Sequence, residues 1–186
     1  MQGRPLELPE VVLLKPQIFG DRRGYFLEIF QARRYAEAGV PGPFVQDNLS
    51  FSRHGVVRGL HYQLRHPQGK LVMVAAGRVF DVVLDIRRGS PTFGRWVSLI
   101  LEEDSHHQLY IPPGFAHGFQ VLSQSAVFLY KCTDYWAPGD EYGVRFDDPD
   151  LGIPWPVPEA VLSDKDRELP RLRDIPPEHL PEYRRC

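Results

Sequence analysis

Between residues 56 and 133 the apolar positions come in short runs separated by turn chemistry, the spacing of strands rather than of helices. Residues 56–64 are mostly apolar, and 70–76 (KLVMVAA) stop at Gly77. Residues 78–86 (RVFDVVLDI) alternate, with Val79, Asp81, Val83 and Asp85 on one face and Phe80, Val82, Leu84 and Ile86 on the other. Residues 96–101 and 126–133 predict two more strands. The intervening turns read His66-Pro67-Gln68-Gly69, Arg88-Gly89-Ser90-Pro91, Pro112-Pro113-Gly114 and Pro138-Gly139-Asp140. Strands at this spacing predict an all-β antiparallel sandwich or barrel, with a jelly roll as the natural candidate.

Two helical pieces interrupt the pattern. Residues 31–38 (QARRYAEA) are good helix formers that stop at Gly39, a candidate left-handed cap. Residues 163–169 form a short polar piece, with Ser163 as N-cap and Asp164 and Asp166 in the first turn. Eight prolines follow Asp148, so this last segment is expected to wrap the molecule as an arm whose value lies in placement rather than in core volume. No repeat or linker divides the sequence. The expectation is one domain over 1–186: N-terminal strands and a short helix to about 50, a jelly-roll core over 51–147, and the proline-rich arm over 148–186.

Composition narrows the class. The chain has 186 residues, 42% of them apolar, enough for one sizeable core, and its 16 glycines and 18 prolines exceed an average share while leaving strand-length runs intact. A net charge of −2 supplies no basic field for nucleic acid or an anionic membrane. The start MQGRPLELPE lacks a basic stretch followed by an apolar run, so a cytoplasmic protein is expected. Cys132, in an apolar run, and Cys186, at the C-terminus, make neither a disulfide framework nor a metal spacing.

The sharpest local signal is Pro112-Pro113-Gly114-Phe115-Ala116-His117, a P-x-G-x-x-H pattern that resembles the second half-motif of the cupin jelly-roll barrels. Metal-binding cupins carry an H-x-H pair on an earlier strand and a downstream Glu. Here that stretch is Gly59-Leu60-His61-Tyr62-Gln63, without the second imidazole, so no metal and no cofactor are expected. His61 then reads either as a strand histidine satisfied by a neighbour or as a general base. A base needs an orienting carboxylate, and Asp164-Lys165-Asp166 on the arm could supply one from far along the chain.

Seven segments in order resemble the dTDP-4-dehydrorhamnose 3,5-epimerase family, from about residue 8 to about residue 170. They are DRRGYFLE from Asp21, QDNLS from Gln46, VRGLHYQ from Val57, Lys70, PGFAHGF from Pro113, YKCTDYW from Tyr130 and SDKD from Ser163. The resemblance implies a cupin-like fold and a cofactor-free isomerase acting on a dTDP-4-keto-6-deoxy sugar in dTDP-L-rhamnose biosynthesis. Both carbons to be inverted, 3 and 5, adjoin the ketone at carbon 4, so each carbanion is delocalised as an enolate. Inversion needs proton-transfer groups on opposite faces of the ring.

By the same resemblance His61 is the base, Asp166 its orienting partner, Tyr130 the acid and Lys70 the cation beside the ketone oxygen. It also implies that Arg23 and Arg58 hold the pyrophosphate, that Glu28, Gln46, Asn48, Glu141 and Lys165 hydrogen-bond base or sugar, that Phe26 gives apolar contact, and that His117 donates to substrate. Without the resemblance, Lys70 reads as a solvated hairpin lysine, Tyr130 as a core aromatic, Asp166 as a helix-terminal charge and the arginines as surface charge. Trp136 stands where the family has a thymine-stacking tyrosine: its face is larger, and the phenolic hydroxyl is absent. A homodimer is implied too, and the extended N-terminal segment suggests strand exchange.

Alternative functions are an epimerase of carbon 3 or carbon 5 alone, a metal-dependent cupin and a non-catalytic sugar-binding barrel. Strand parity adds a structural expectation. Arg58 and His61, three apart, reach one pocket only if the strand bulges, and Gly59 is where that is easiest.

Overall fold

The computed structural model describes residues 2–183, so Cys186 lies outside the described residues. In chain order its elements are β1 (Gln2–Pro5), β2 (Val12–Lys15), β3 (Ile18–Asp21), β4 (Gly24–Leu27), α1 (Ala32–Glu37), β5 (Gln46–Arg53), β6 (Val57–Gln63) and β7 (Lys70–Ala76). Then come β8 (Arg78–Asp85), β9 (Trp96–Glu102), β10 (Gln108–Ile111), β11 (Phe115–Val121), β12 (Ser125–Cys132), β13 (Glu141–Gly143) and α2 (Asp164–Arg167). A six-stranded sheet runs β1-β2-β10-β7-β12-β5 and a five-stranded sheet runs β13-β6-β11-β8-β9, while β3 and β4 form a separate hairpin. Every named pairing is antiparallel and both sheets contribute to one core between them, so the expected all-β antiparallel jelly-roll sandwich is present.

The alternation along β8 does what its pattern predicted, because both of its faces are covered. Val79 and Val83 point between the sheets with Val72, Val74, Leu109, Phe119 and Phe128. Phe80, Val82, Leu84 and Ile86 point outward, where the C-terminal segment packs Ile153, Trp155, Leu172, Ile175 and Leu180 against them. The arm therefore contributes core as well as placement, contrary to the expectation from its prolines. Its apolar residues are scattered singly, so no run advertises them, yet each lands on the outer face of the five-stranded sheet. Gln120 ties the arm to β11 at both ends of its amide, donating to the Val157 carbonyl at 2.8 Å and accepting from the Val157 N–H at 3.0 Å.

α1 is capped by Gln31, whose side chain accepts from the Arg34 N–H, and it ends at Ala38 before Gly39 takes a φ of +87°. It buries Tyr35 and Val40 against Leu14, Leu71 and Tyr110 on the outer face of the six-stranded sheet. Within the single chain β1 lies on β2, and β2 on β10, which puts β1 at one edge of the six-stranded sheet. Among the described residues no helix is long and apolar enough to cross a membrane.

Candidate active site

β5 inverts the usual amphipathic pattern. Its exposed positions include Leu49 and Phe51, while Gln46, Asn48, Ser50 and Ser52 turn inward. A strand with a polar inner face lines a site rather than a dry core. Opposite it, the β6–β11 pair carries His61 facing His117 in register. The register then slips: Arg58 pairs with Phe119, so Gly59 and Leu60 together oppose Gly118. Gly59 has a φ of +120°, and a Cβ there would lie 2.6 Å from both the Gly118 Cα and the His117 carbonyl oxygen. The bulge expected at Gly59 is present, and it lets Arg58 and His61 line the same cavity.

That cavity, of roughly 420 Å³, lies between the sheets. His61, Lys70, Tyr130 and Asp166 all line it, as do Arg58, His117, Glu141 and Lys165. Gln46, Asn48 and Trp136 line a smaller adjoining cavity that shares His61, Lys70, Tyr130 and Glu141. Arg23, Phe26 and Glu28 line neither. Arg23 is exposed and forks to Asp21, Glu28 accepts from Arg34 at 2.7 Å, and Phe26 stands open on the hairpin.

α2 is a single turn that presents one side chain. Ser163 accepts from the Asp166 N–H at 3.1 Å, and Asp166, 5% exposed, reaches the His61 Nε2 at 2.5 Å. Burial pushes the Asp166 carboxyl up, but the His61 hydrogen bond and charge, with the Ser163 hydrogen bond, outweigh it and hold the group below its usual range. An ionised carboxylate only accepts, so Nε2 carries the proton, and in the neutral ring Nδ1 is the nitrogen left to accept one.

A second dyad went unpredicted. His117 Nε2 lies 3.0 Å from each oxygen of Asp81, which is fully buried on β8. The signal was present in RVFDVVLDI, where a carboxylate interrupts the buried face of an apolar strand and so requires a partner. With Nε2–H committed to Asp81, the neutral His117 ring has only an acceptor left at Nδ1. The donation expected from sequence requires a second proton on the ring. Among the described residues no three His, Cys, Asp or Glu side chains group to hold a metal, and both cavity histidines spend Nε2 on a carboxylate.

Lys70 and Tyr130 come from the opposite sheet. Burial lowers the Lys70 ammonium below its ordinary value, against the opposing pull of Cys132, Glu141 and Asp81. Burial raises the Tyr130 phenol, which keeps it protonated at neutral pH. Glu141 pairs with Lys165. Burial pushes that carboxyl up, but the Lys165 hydrogen bond and the His61 charge hold it below its usual range. Arg58 is braced by the Ser52 Oγ at 2.9 Å. Trp136 is placed by its own N–H, which donates to the Gln46 Oε1 at 2.8 Å, and its indole is left more than half exposed.

The family model for dTDP-4-dehydrorhamnose 3,5-epimerase matches residues 5–174. The chain is 54% identical to a dTDP-4-dehydrorhamnose 3,5-epimerase from Pseudomonas aeruginosa over 170 residues, covering 90% of this chain and 94% of that one. The crystal structure of a dTDP-6-deoxy-D-glucose-3,5-epimerase from Legionella pneumophila in complex with dTDP-4-keto-L-rhamnose superposes with a TM-score of 0.96, at 50% identity over 99% of both chains. A 3'-monoepimerase from Streptomyces bikiniensis, solved with dTDP-quinovose, is similar at 36% identity and a TM-score of 0.87, covering 93% of this chain and 88% of that one.

Proposed function

The chain belongs to the dTDP-4-dehydrorhamnose 3,5-epimerase family, and from that premise we propose that it inverts carbons 3 and 5 of dTDP-4-dehydro-6-deoxy-glucose to give dTDP-4-dehydro-rhamnose. The observation that carries this reading is the placement of His61 on one sheet and Tyr130 with Lys70 on the other, around one sugar-sized cavity. A proton leaves carbon 3 or carbon 5 to the Nδ1 lone pair of His61, and Asp166 offsets the charge the ring gains. The electron pair passes into the enolate, whose C4 oxygen is stabilised by the Lys70 ammonium. Tyr130, still protonated, returns a proton to the opposite face. Each inversion leaves His61 with a proton gained and Tyr130 with one lost, and exchange of both with solvent resets them before the next; no electrons are gained or lost, so the chemistry needs no redox cofactor.

Binding roles follow position. Trp136 stacks on the thymine, with Gln46 and Asn48 beside it in the smaller cavity. Arg58 meets the pyrophosphate, while Glu141, Lys165 and His117 hydrogen-bond the sugar. Arg23, Phe26 and Glu28 lie off their own cavity, so their substrate contacts are made in the cavity of a second subunit. Support comes from the apolar residues Ile18, Phe19, Tyr25, Phe26, Leu49 and Phe51, all left exposed on the hairpin and the outer face of β5. The dimer is then built on that surface, with the N-terminal segment reaching across to the second subunit. The cytoplasm suits a protein whose buried Cys132 is free and whose thiol burial keeps protonated.

The similarity to a 3'-monoepimerase keeps inversion at one carbon as a second reading. Product stereochemistry separates the two. After borohydride trapping, NMR shows the rhamno configuration at both carbons if the first reading holds, and a single inverted centre if the second does.

A further inference from the structure

Ser50 is a polar side chain with no partner among the described residues. It lies on the inner face of β5, opposite Phe128 in register, and lines the larger cavity on the wall that also holds Val56, Val57 and Phe119. Its Oγ is shielded from solvent and, alone among the buried side-chain polar atoms described, makes no hydrogen bond. Its neighbours in the inward row are engaged: Gln46 with Asn48 and the Trp136 N–H, Asn48 with the Cys132 Sγ, and Ser52 with Arg58. A buried hydroxyl left unpaired costs free energy, which is recovered when an entering group completes it. A serine hydroxyl reaches three staggered positions, so turning it toward a ligand requires no backbone change.

We propose that Ser50 is a specificity-determining residue whose Oγ holds the C2 hydroxyl of the substrate sugar. The proposal rests on the epimerase reading. In a 4-keto-6-deoxy sugar, carbon 1 bears the nucleotide, carbon 4 is a ketone and carbon 6 is a methyl. The C3 hydroxyl changes face during the reaction, so a fixed group cannot hold it before and after inversion. The C2 hydroxyl keeps its configuration throughout and is the one ring hydroxyl that a rigid strand can grip through both inversions. On an apolar wall, a single hydroxyl of this kind fixes the orientation of the ring.

The test compares wild type and Ser50→Ala on dTDP-4-dehydro-6-deoxy-glucose and on its 2-deoxy analogue, with dTDP affinity and Tm measured in parallel. With the natural substrate, Ser50→Ala raises KM about tenfold, the scale of one neutral hydrogen bond, and leaves kcat within about threefold. The dTDP affinity holds, and Tm is unchanged or higher because no protein partner is lost. On the 2-deoxy analogue the two proteins behave alike. A KM within about twofold of wild type on the natural substrate overturns the proposal, as does an equal loss on both substrates, or a loss traced to lower Tm and weaker dTDP binding. A wild type with no turnover on the keto sugar strikes instead at the epimerase reading itself.

Discussion

His61 and Asp166 are 105 residues apart in the chain and 2.5 Å apart in space. The proline-rich arm closes that separation, crossing the outer face of the five-stranded sheet and pairing Val161 with Val56 before α2 turns Asp166 inward. Replacing Asp166 by Asn keeps the volume but removes the charge that the imidazolium would face. We expect kcat to fall by about 10²–10⁴-fold, in the range of a disabled general base, with dTDP affinity unchanged. Turnover and calorimetric dTDP titration of Asp166→Asn check this, and a variant within about threefold of wild-type kcat removes the dyad from the mechanism.

Only the general outline of that dyad was legible in the sequence. The strand His61 sits on was readable from its apolar run, and β7 was readable to the residue because Gly69 and Gly77 bound it. The acidic cluster at 164–166 was legible only as a candidate partner, because contacts between distant segments leave no local period, and the family resemblance singled out Asp166. Strands as short as β10 and β13 went unread for the same reason: each is defined by its partner, β13 by β6 and β10 by β7 and β2. Asp81 is a different case: a carboxylate on the buried face of β8 announces the need for a partner, but the alternation does not say that the partner is His117 on the neighbouring strand.

The alkaline limb of the pH–rate profile belongs to Lys70. Burial lowers its ammonium below the ordinary lysine value, while burial raises Tyr130. Burial thus moves Lys70 toward neutral pH and Tyr130 away from it, and when Lys70 loses its charge the enolate loses its stabilising cation. Lys70→Arg is expected to retain measurable activity and to lose the alkaline decline, because a guanidinium does not titrate in that range. Tyr130→Phe lowers kcat without moving the limb. A profile in which Tyr130→Phe, rather than Lys70→Arg, abolishes the alkaline decline contradicts the assignment.

Gly59 is required by its backbone. Gly59→Ala puts a Cβ 2.6 Å from the Gly118 Cα and the His117 carbonyl at a φ of +120°, so both strands must shift. Unfolding by urea should show a loss of about 2 kcal/mol or more. Activity falls further than stability explains, since Arg58 and His61 flank the displaced residue. Gly20→Ala, whose nearest neighbour would be 3.8 Å away, is the matched control for stability and should leave the urea midpoint unchanged.

At the far end of β8, Asp85 is fully buried and bound by Arg87, Ser90 and Thr92. Burial pushes its carboxyl up, yet these hydrogen bonds together hold it below the usual range. A depressed carboxylate contributes stability above its unfolded value and loses it as pH falls through the folded one. Asp85→Ala is expected to cost about 3 kcal/mol at pH 7, because Arg87 keeps a buried charge with half its partners gone, and the gap to wild type narrows in acid. Denaturation curves at neutral and acid pH measure both; a gap that widens as pH falls reverses the sign and rejects the reading.

Trp136→Ala should weaken dTDP binding about tenfold through loss of the stacking face, and Trp136→Tyr should restore most of it. Calorimetry on dTDP alone isolates this from the chemistry. Equal affinity in all three proteins places the thymine elsewhere.

The most direct test of epimerisation by His61 and Tyr130 is proton exchange on the sugar in deuterium oxide, read by mass spectrometry and NMR after quenching. Wild type should introduce deuterium at carbon 3 and at carbon 5. His61→Ala should introduce none at either carbon, and Tyr130→Phe should slow reprotonation without abolishing binding of dTDP. Label confined to one carbon, or full exchange surviving in His61→Ala, contradicts double epimerisation through this base.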